Sequence, residues 1–434
     1  MDTLKDIIKK LLVLLAVRVL KKHQPYIIAI IGSVGKTTAR NAIYTVLSRK
    51  YSVRKSEQSL TTDVGVPLTL LGCRHSIHTV QGVLNDMYNA IHQTFFSKKY
   101  PEYVILEIDG QSKGEVGRLV EWLSIDLLVV TTIGEIPAHV EHFDTPTALR
   151  AEYELIVGAL KKTSKVVVYA DDEYSKALGA ALDHPVISYG NSRHADISAK
   201  EYEVLYEGAV PVGISFAFER PSLDEPIVIK ETLGIHAVNG VLAAQAVLQA
   251  LGEHPFSMNH SFEKMPLSPG RMKIIPGIKG SVILDDSYNS SPVAVEELIS
   301  VLKKVESKRK ILVLGDMLEL GRYSTEVHRE IGREIGREIG GEIADNTLLI
   351  CVGLRSRSIK AGALETGMKE ESIVLFDMPE KAGEYIEDII APGDLVAIKG
   401  SQGMRMERCV EEIMAEPEKK EKLLVRQSEE WLGR

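Results

Sequence analysis

The stretch that most constrains this chain is IIAIIGSVGKTTAR, residues 27–40. Ile27 to Ile31 form an uninterrupted apolar run, the pattern of a strand buried on both faces of a parallel sheet. Gly32, Ser33, Val34 and Gly35 then turn the chain sharply, and Lys36, Thr37 and Thr38 open a helix. Strand, glycine turn and helix N-terminus together make an anion cradle. Glycines let backbone N–H groups approach phosphate oxygens, and the helix end adds partial positive charge. Lys36 is placed to reach the outer phosphates, and the Thr37 hydroxyl to ligate Mg²⁺. Two residues separate Gly32 from Gly35, where the standard nucleotide loop has four. A plain glycine turn joining strand to helix is the other reading of the motif.

A chain of 434 residues exceeds one ordinary core, so two or three domains are expected. Apolar residues at 44% and charged residues at 26% are the proportions of a soluble globular protein. The net charge of −8 argues against nucleic acid as the main partner. Cys73, Cys351 and Cys409 lie far apart without metal spacing, which predicts reduced thiols and a cytoplasmic protein. Residues 1–23 form a basic amphipathic helix whose uncharged run, Leu11 to Val17, is far too short to span a bilayer. No small-residue cleavage site follows it. Two readings stand: residues 3–22 lie on an anionic membrane surface at the inner face, or the helix docks against the neighbouring domain or a partner chain.

From residue 24 to 265 strands and helices alternate, predicting an α/β domain with a mainly parallel sheet. The strand at 103–108 ends on Glu107, Asp109 and Gly110. Ligands of open α/β sheets gather at the carboxyl ends of strands, which makes Glu107 a further Mg²⁺ ligand, or else a cap of the next helix. The strand at 126–132 runs into His139, Glu141 and His142. No third ligand at helical spacing supports zinc there, whereas Mg²⁺ chemistry needs only one of them. A helix over 147–160 carries Glu152 and Glu154, residues 200–232 alternate as an antiparallel section, and 234–252 reads as a strong helix. The Pro- and Ser-rich stretch 253–270 reads as a linker. Beyond it, strands at 282–286, 310–316, 347–353, 372–376 and 394–400 alternate with helices, a doubly wound, Rossmann-like domain over 266–434. The repeat REIGREIGREIGGEI (329–343) reads as a lengthened surface helix, each glycine costing about 1 kcal/mol.

Several segments in order resemble the Mur ligase family: GSVGKTT (32–38), VGVPLTLLG (64–72), VILEI (104–108), TTIGEIPAHVEHF (131–143), LSPGRMKII (267–275), LDDSYNSSP (284–292), LVLGDMLELG (312–321) and IKGSQGMRMER (398–408). They cover residues 27–410, and the last three are much more specific than the cradle. Within the family the likeness is to the members that add D-alanyl-D-alanine to a muramoyl tripeptide. The resemblance implies a P-loop-type central ATPase domain followed by a Rossmann-like C-terminal domain. It also implies an ATP-dependent, ADP-forming acid–amino-acid ligase of peptidoglycan synthesis. A substrate carboxylate attacks the γ-phosphate of ATP, and an amine then displaces phosphate from the acyl phosphate. Two anions must meet, so Lys36 and two Mg²⁺ ions are required to neutralise them. By family position Gly32, Ser33, Gly35, Lys36, Thr37 and Thr38 hold the phosphates. Thr37 and Glu107 serve one metal and His139 the other. Arg271 and Asp286 resemble ATP contacts, while Asn289, Asp316 and Lys399 resemble the dipeptide pocket.

Three departures stand out. The family's carbamylated lysine, a carboxylate for the second Mg²⁺, has no counterpart, since no lysine lies between Lys113 and Lys161. Glu152, or else Glu154, is expected to replace it. The adenine-reading asparagine aligns with Gly240, leaving Asn239 one place early. Only the basic helix precedes the cradle, where the family carries a domain for the uridine nucleotide sugar. The alternatives are a ligase for another carboxylate and amine, of polyglutamate or cyanophycin type, and a nucleotide-binding regulator that has lost ligation.

Overall fold

The computed structural model describes residues 2–57, 60–73, 80–219, 226–254, 259–338, 346–428 and 431. The chain forms two compact units. The first comprises residues 1–200, 218–224 and 239–265, and the second 201–217, 225–238 and 266–434.

The first unit opens with α1 (Asp2–His23), β1 (Tyr26–Ile31), α2 (Lys36–Leu47), β2 (Val53–Lys55), α3 (Gly65–Leu71) and α4 (Val80–Phe95). It continues through β3 (Tyr103–Glu107), α5 (Glu115–Val120), β4 (Ile125–Val130), α6 (Pro146–Glu154), β5 (Leu160–Tyr169), α7 (Glu173–Ala180) and β6 (Val186–Gly190). These strands are parallel and ordered β2-β3-β1-β4-β5-β6. The apolar run of β1 is central, so Ile27, Ile28, Ile30 and Ile31 are all buried. Parallel strands require crossovers that cover both faces of the sheet, which is why β1, β3 and β4 carry almost no polar side chains. The expected helix over 147–160 ends early: α6 stops at Glu154 and a 3₁₀ turn, Leu155–Ala159, leads into β5.

The docking reading of the first helix is the one the structure displays. Leu12, Leu15, Ala16 and Val19 are buried as α1 packs on α3 and α4, and Lys22 donates to the carbonyls of Thr94 and Ser97. Among the described residues no helix is long and apolar enough to cross a membrane.

The alternation over 200–232 appears as β7 (Ile197–Glu207), β8 (Val210–Phe218) and β9 (Ile227–Lys230), with β8 and β9 antiparallel. The strong helix is α8 (Ile235–Leu251). The second unit then runs β10 (Lys273–Pro276), β11 (Val282–Asp286), α9 (Pro292–Lys304), β12 (Arg309–Gly315), α10 (Ser324–Glu338) and β13 (Thr347–Val352). It closes with α11 (Arg357–Glu365), β14 (Ile373–Phe376), α12 (Pro379–Ile389), β15 (Asp394–Lys399), α13 (Glu407–Ile413) and α14 (Lys420–Leu423). The five expected strands form the parallel order β11-β15-β12-β13-β14. β10, too short to be read from the sequence, adds an antiparallel edge beside β11.

The glycine repeat has a packing role that the sequence alone concealed. A Cβ on Gly332 would lie 2.0 Å from the Ile359 carbonyl oxygen, and one on Gly362 would lie 1.9 Å from that of Arg329. The glycines therefore let α10 and α11 meet backbone to backbone. Ile331 and Ile335 are buried along the same face. Ile339 and Ile343, the rest of the repeat, lie outside the described residues, as do 58–59 of the loop before VGVPL and 255–258 of the linker stretch.

Candidate active site

The cradle forms where β1 gives way to α2. Gly32 has φ 131° and Gly35 φ 90°, values that L side chains rarely adopt. A Cβ on Gly32 would also strike Thr131 Oγ1 at 2.3 Å, so the first glycine is demanded twice over. The loop is anchored to β4's exit, with the N–H groups of Ser33 and Val34 donating to the Thr132 carbonyl at 2.7 and 3.1 Å. Lys36 folds back on the turn, its ammonium donating to the carbonyls of Gly32 and, at 3.3 Å, Ser33. Thr37 and Thr38 are buried beside it at the start of α2.

β3 delivers Glu107 to the same place. Thr37 Oγ1 donates to Glu107 Oε2 at 3.1 Å, and the Arg40 guanidinium pairs with Glu107 Oε1 at 2.8 Å. Two oxygens bound to one octahedral Mg²⁺ at about 2.1 Å stand about 3 Å apart along an edge, so this pair fits a shared ion. Ser33 Oγ is buried without a hydrogen-bond partner, at a typical cost of about 1–3 kcal/mol, and Asp109 Oδ1 is met by the Lys36 ammonium at 3.5 Å. An orphaned hydroxyl beside a cationic loop suits a polar ligand.

Asp109 was not singled out from sequence. It lies between Lys36 Nζ, 3.5 Å from Oδ1, and His139 Nε2, 3.8 Å from Oδ2. Burial would raise its carboxyl, but Lys36 and His139 hold it below the ordinary carboxylate range. His139 itself takes the left-handed conformation, φ 68°, as the residue before a short 3₁₀ turn. Lys55, at the carboxyl end of β2, donates to Asn41 Oδ1 at 2.9 Å, and burial with the Arg40 charge lowers its ammonium to about 8.

The structure gives Glu152 a different task from the one expected. Its two carboxylate oxygens accept the N–H groups of Gly114 at 2.9 Å and Val116 at 2.7 Å, at the start of α5. Glu154 is exposed. Tyr153 instead turns inward, its hydroxyl 3.4 Å from the Gly32 carbonyl. Among the described residues no three His, Cys, Asp or Glu side chains converge, so a bound Mg²⁺ would draw its remaining ligands from phosphate and water. Asn239 donates to the Tyr169 hydroxyl at 3.2 Å, and Gly240 faces α2, where a Cβ would lie 2.9 Å from Thr38 Cγ2.

In the second unit β11 and β15 bring together residues the sequence had placed far apart. Lys399 donates to Asp286 Oδ2 at 2.6 Å and to the Asn289 carbonyl at 2.9 Å. Asp286 Oδ1 accepts the Met272 N–H at 3.1 Å, and Asn289 Oδ1 accepts that of Gln402 at 3.2 Å. The Arg271 guanidinium stacks 4.1 Å over the Tyr288 ring. His236, unmarked by any sequence signal beyond its place at a helix start, is half-buried here. Desolvation lowers it to about 4, with Arg271 and Lys399 acting in the same direction against Asp286. Asp316, expected with Lys399, points its Oδ1 to the Ser356 N–H at 2.7 Å, ahead of α11. Its carboxylate therefore serves a helix end, and its carbonyl receives the Ser401 N–H at 3.1 Å.

Comparison with known proteins gives the family. Residues 30–248 match the Mur ligase middle domain, and residues 270–402 match the Mur ligase glutamate ligase domain. The UDP-N-acetylmuramoyl-tripeptide–D-alanyl-D-alanine ligase of Bacillus subtilis is 26% identical over 395 residues, covering 90% of this chain and 76% of the relative. The ligase of the same name from Rickettsia prowazekii is 25% identical, covering 88% and 77%. Among solved structures, MurF of Thermotoga maritima in complex with ADP aligns with a TM-score of 0.75 at 24% identity, covering 95% of this chain and 84% of that one. The chain belongs to the Mur ligase family of ATP-dependent, ADP-forming ligases.

Proposed function

We propose that this protein joins D-alanyl-D-alanine to the carboxylate of a muramoyl tripeptide at the expense of ATP. The carrying observation is the cradle itself: Lys36, Thr37 and Glu107 are assembled at the ends of β1 and β3, with the Thr37 hydroxyl 3.1 Å from the Glu107 carboxylate. Curated relatives of this name align with about nine-tenths of the chain. In this reading the loop N–H groups and Lys36 hold the phosphates, and Thr37 with Glu107 holds one Mg²⁺. That ion supplies charge neutralisation while the carboxylate approaches the γ-phosphate. Arg40 pairs with Glu107 and aims it, and Lys55 adds positive charge at the mouth of β2. In the second unit we assign Arg271 and Asp286 to nucleotide binding and Asn289 and Lys399 to the incoming dipeptide. His236, held neutral, leaves that cluster's charge to Arg271 and Lys399. Phosphate release measured with paired carboxylates and amines tests the reading. Release that needs both a muramoyl tripeptide and D-alanyl-D-alanine supports it. Release with glutamate or aspartate acceptors instead identifies a ligase of another class, and no release with any pair identifies a regulator.

We also propose a peripheral membrane contact, through a surface wider than the first helix. Ile7, Leu11 and Leu14 remain exposed on α1, and Tyr88, Ile91 and Phe95 on α4, with Phe96 just beyond. The two stripes join where the Arg18 guanidinium lies 4.9 Å over the Phe95 ring. Residues 7–23 contain no acid, and Asp86, the one acid in 85–100, is buried, whereas Lys10, Lys21, Lys98 and Lys99 in the same segments are exposed. In a chain of net charge −8 such a segregated basic, apolar face suits an anionic lipid surface. Co-sedimentation with phosphatidylserine vesicles is expected for the wild type and lost in Leu14→Glu combined with Phe96→Glu. Equal binding by both proteins, or none by either, refutes the contact.

A further inference from the structure

Asp109 is fixed by the sheet rather than by a flexible loop. The Ile108 N–H continues the β1 ladder to the Ile30 carbonyl at 2.9 Å, and the Asp109 N–H donates to the Thr61 carbonyl at 3.0 Å. The carboxylate is buried, and Oδ1 accepts no hydrogen bond. A buried carboxylate needs a cation, because its own desolvation is costly. Lys36 meets that need at 3.5 Å, with its ammonium also lying on the carbonyls of Gly32 and Ser33. Yet Lys36 is the cation the cradle directs at the outer phosphates. When its ammonium is drawn there, Asp109 is left facing a polyanion with the Gln111 side chain, the Tyr153 hydroxyl and His139 beside it, of which only His139 can carry positive charge.

Resting on the ligase reading above, we infer that Asp109 and His139 together hold the second divalent cation, which enters with the nucleotide as Lys36 leaves. Two bonds of about 2.1 Å span at most about 4.2 Å between donor atoms. The 3.8 Å between Asp109 Oδ2 and His139 Nε2 falls between the cis edge of about 3 Å and the trans span of about 4.2 Å, so a side-chain shift of less than about 1 Å places both on one octahedral ion. Asp109 thus supplies the hard oxygen that the family resemblance assigns to a carbamylated lysine. Glu152 does not compete, since both its oxygens are occupied at α5. Tyr153 fills the interior face of α6, its hydroxyl 3.4 Å from the Gly32 carbonyl. No CO₂ adduct is needed at such a site.

The test counts Mn²⁺ bound per chain by equilibrium dialysis and electron paramagnetic resonance, with the full-length protein and an ATP analogue carrying a methylene β–γ bridge. Two ions are expected for the wild type and for Glu152→Gln, with or without dissolved CO₂. Asp109→Asn and His139→Gln should each retain one ion and bind the other at least about tenfold more weakly. Unchanged stoichiometry and affinity in both variants, a single ion in the wild type, or loss of an ion on CO₂ removal each overturns the assignment while leaving the ligase reading intact. Failure of the analogue to bind at all would count against the ligase reading itself. Thermal melting of Asp109→Asn, the near-isosteric variant, separates lost coordination from lost fold. His139→Gln provides the independent second removal.

Discussion

Asp286 and Lys399 face each other on the neighbouring parallel strands β11 and β15, and the Lys399 ammonium donates to Asp286 Oδ2 at 2.6 Å. Both side chains are almost fully buried. Removing one partner leaves the other charged and desolvated, a change that costs about 3–5 kcal/mol in comparable buried pairs. Lys399→Met should therefore lower the urea midpoint strongly, and the double variant Asp286→Asn, Lys399→Met should recover part of the loss. Equal stability of wild type and Lys399→Met would show that the pair carries no such burden.

Lys36→Ala removes the cation that we assign to the phosphates while leaving Gly32 and Gly35 in place. Turnover should fall at least about a hundredfold, the scale of one lost transition-state charge contact, with the far-ultraviolet dichroism unchanged. Steady-state phosphate release checks it. Activity within about tenfold of wild type would remove Lys36 from the mechanism.

His236 gives the second unit a defined acid sensitivity. Its folded value is about 4, against 6.5 for the free side chain, because the neutral ring is the form that burial tolerates. A group depressed on folding contributes stability that is complete above its unfolded value and lost as pH falls toward its folded one. The contribution should therefore fade between pH 6.5 and about 4 and amount to about 3 kcal/mol. Urea titrations of wild type and His236→Asn across that interval should show a shallower decline in the variant. Parallel curves would assign the acid sensitivity to the carboxylates alone.

The α10–α11 contact sets two effects against each other. Gly362→Ala gains about 1 kcal/mol of helix propensity. The same substitution places a Cβ 1.9 Å from the Arg329 carbonyl oxygen, and overpacking of this kind costs about 1–3 kcal/mol or more when backbone must move. The clash should win, lowering the melting temperature. A stabilised Gly362→Ala would mean that the helices separate freely.

Much of this architecture is legible in the sequence because parallel strands are apolar throughout and glycines mark turns that no other residue makes. Ile27 to Ile31 and Gly32 to Gly35 are of that kind, and β11 to β15 were readable for the same reason. Side-chain partnerships were less legible. Glu152 and Asp109 are both acids near the ends of regular elements, and spacing alone does not say which one turns toward the cradle. Helix α6 ends at Glu154, and its rotation carries Tyr153 inward and spends Glu152 on the α5 terminus. β10 and the glycine contacts of α10 were missed because a four-residue edge strand and a repeated glycine have no local signature of their tertiary use. A carboxylate two residues beyond Glu107, at the carboxyl end of β3, was the one available clue to Asp109.

The central claim is amide ligation, and the most direct measurement is mass analysis of the product. The protein is incubated with ATP, Mg²⁺, D-alanyl-D-alanine and a panel of uridine-linked muramoyl tripeptides, with ADP followed in parallel. The account predicts a new species equal to tripeptide plus dipeptide less one water, formed in equal amount with ADP and absent from Lys36→Ala. ADP formation without that species, or no product from any muramoyl acceptor in the panel, would contradict it.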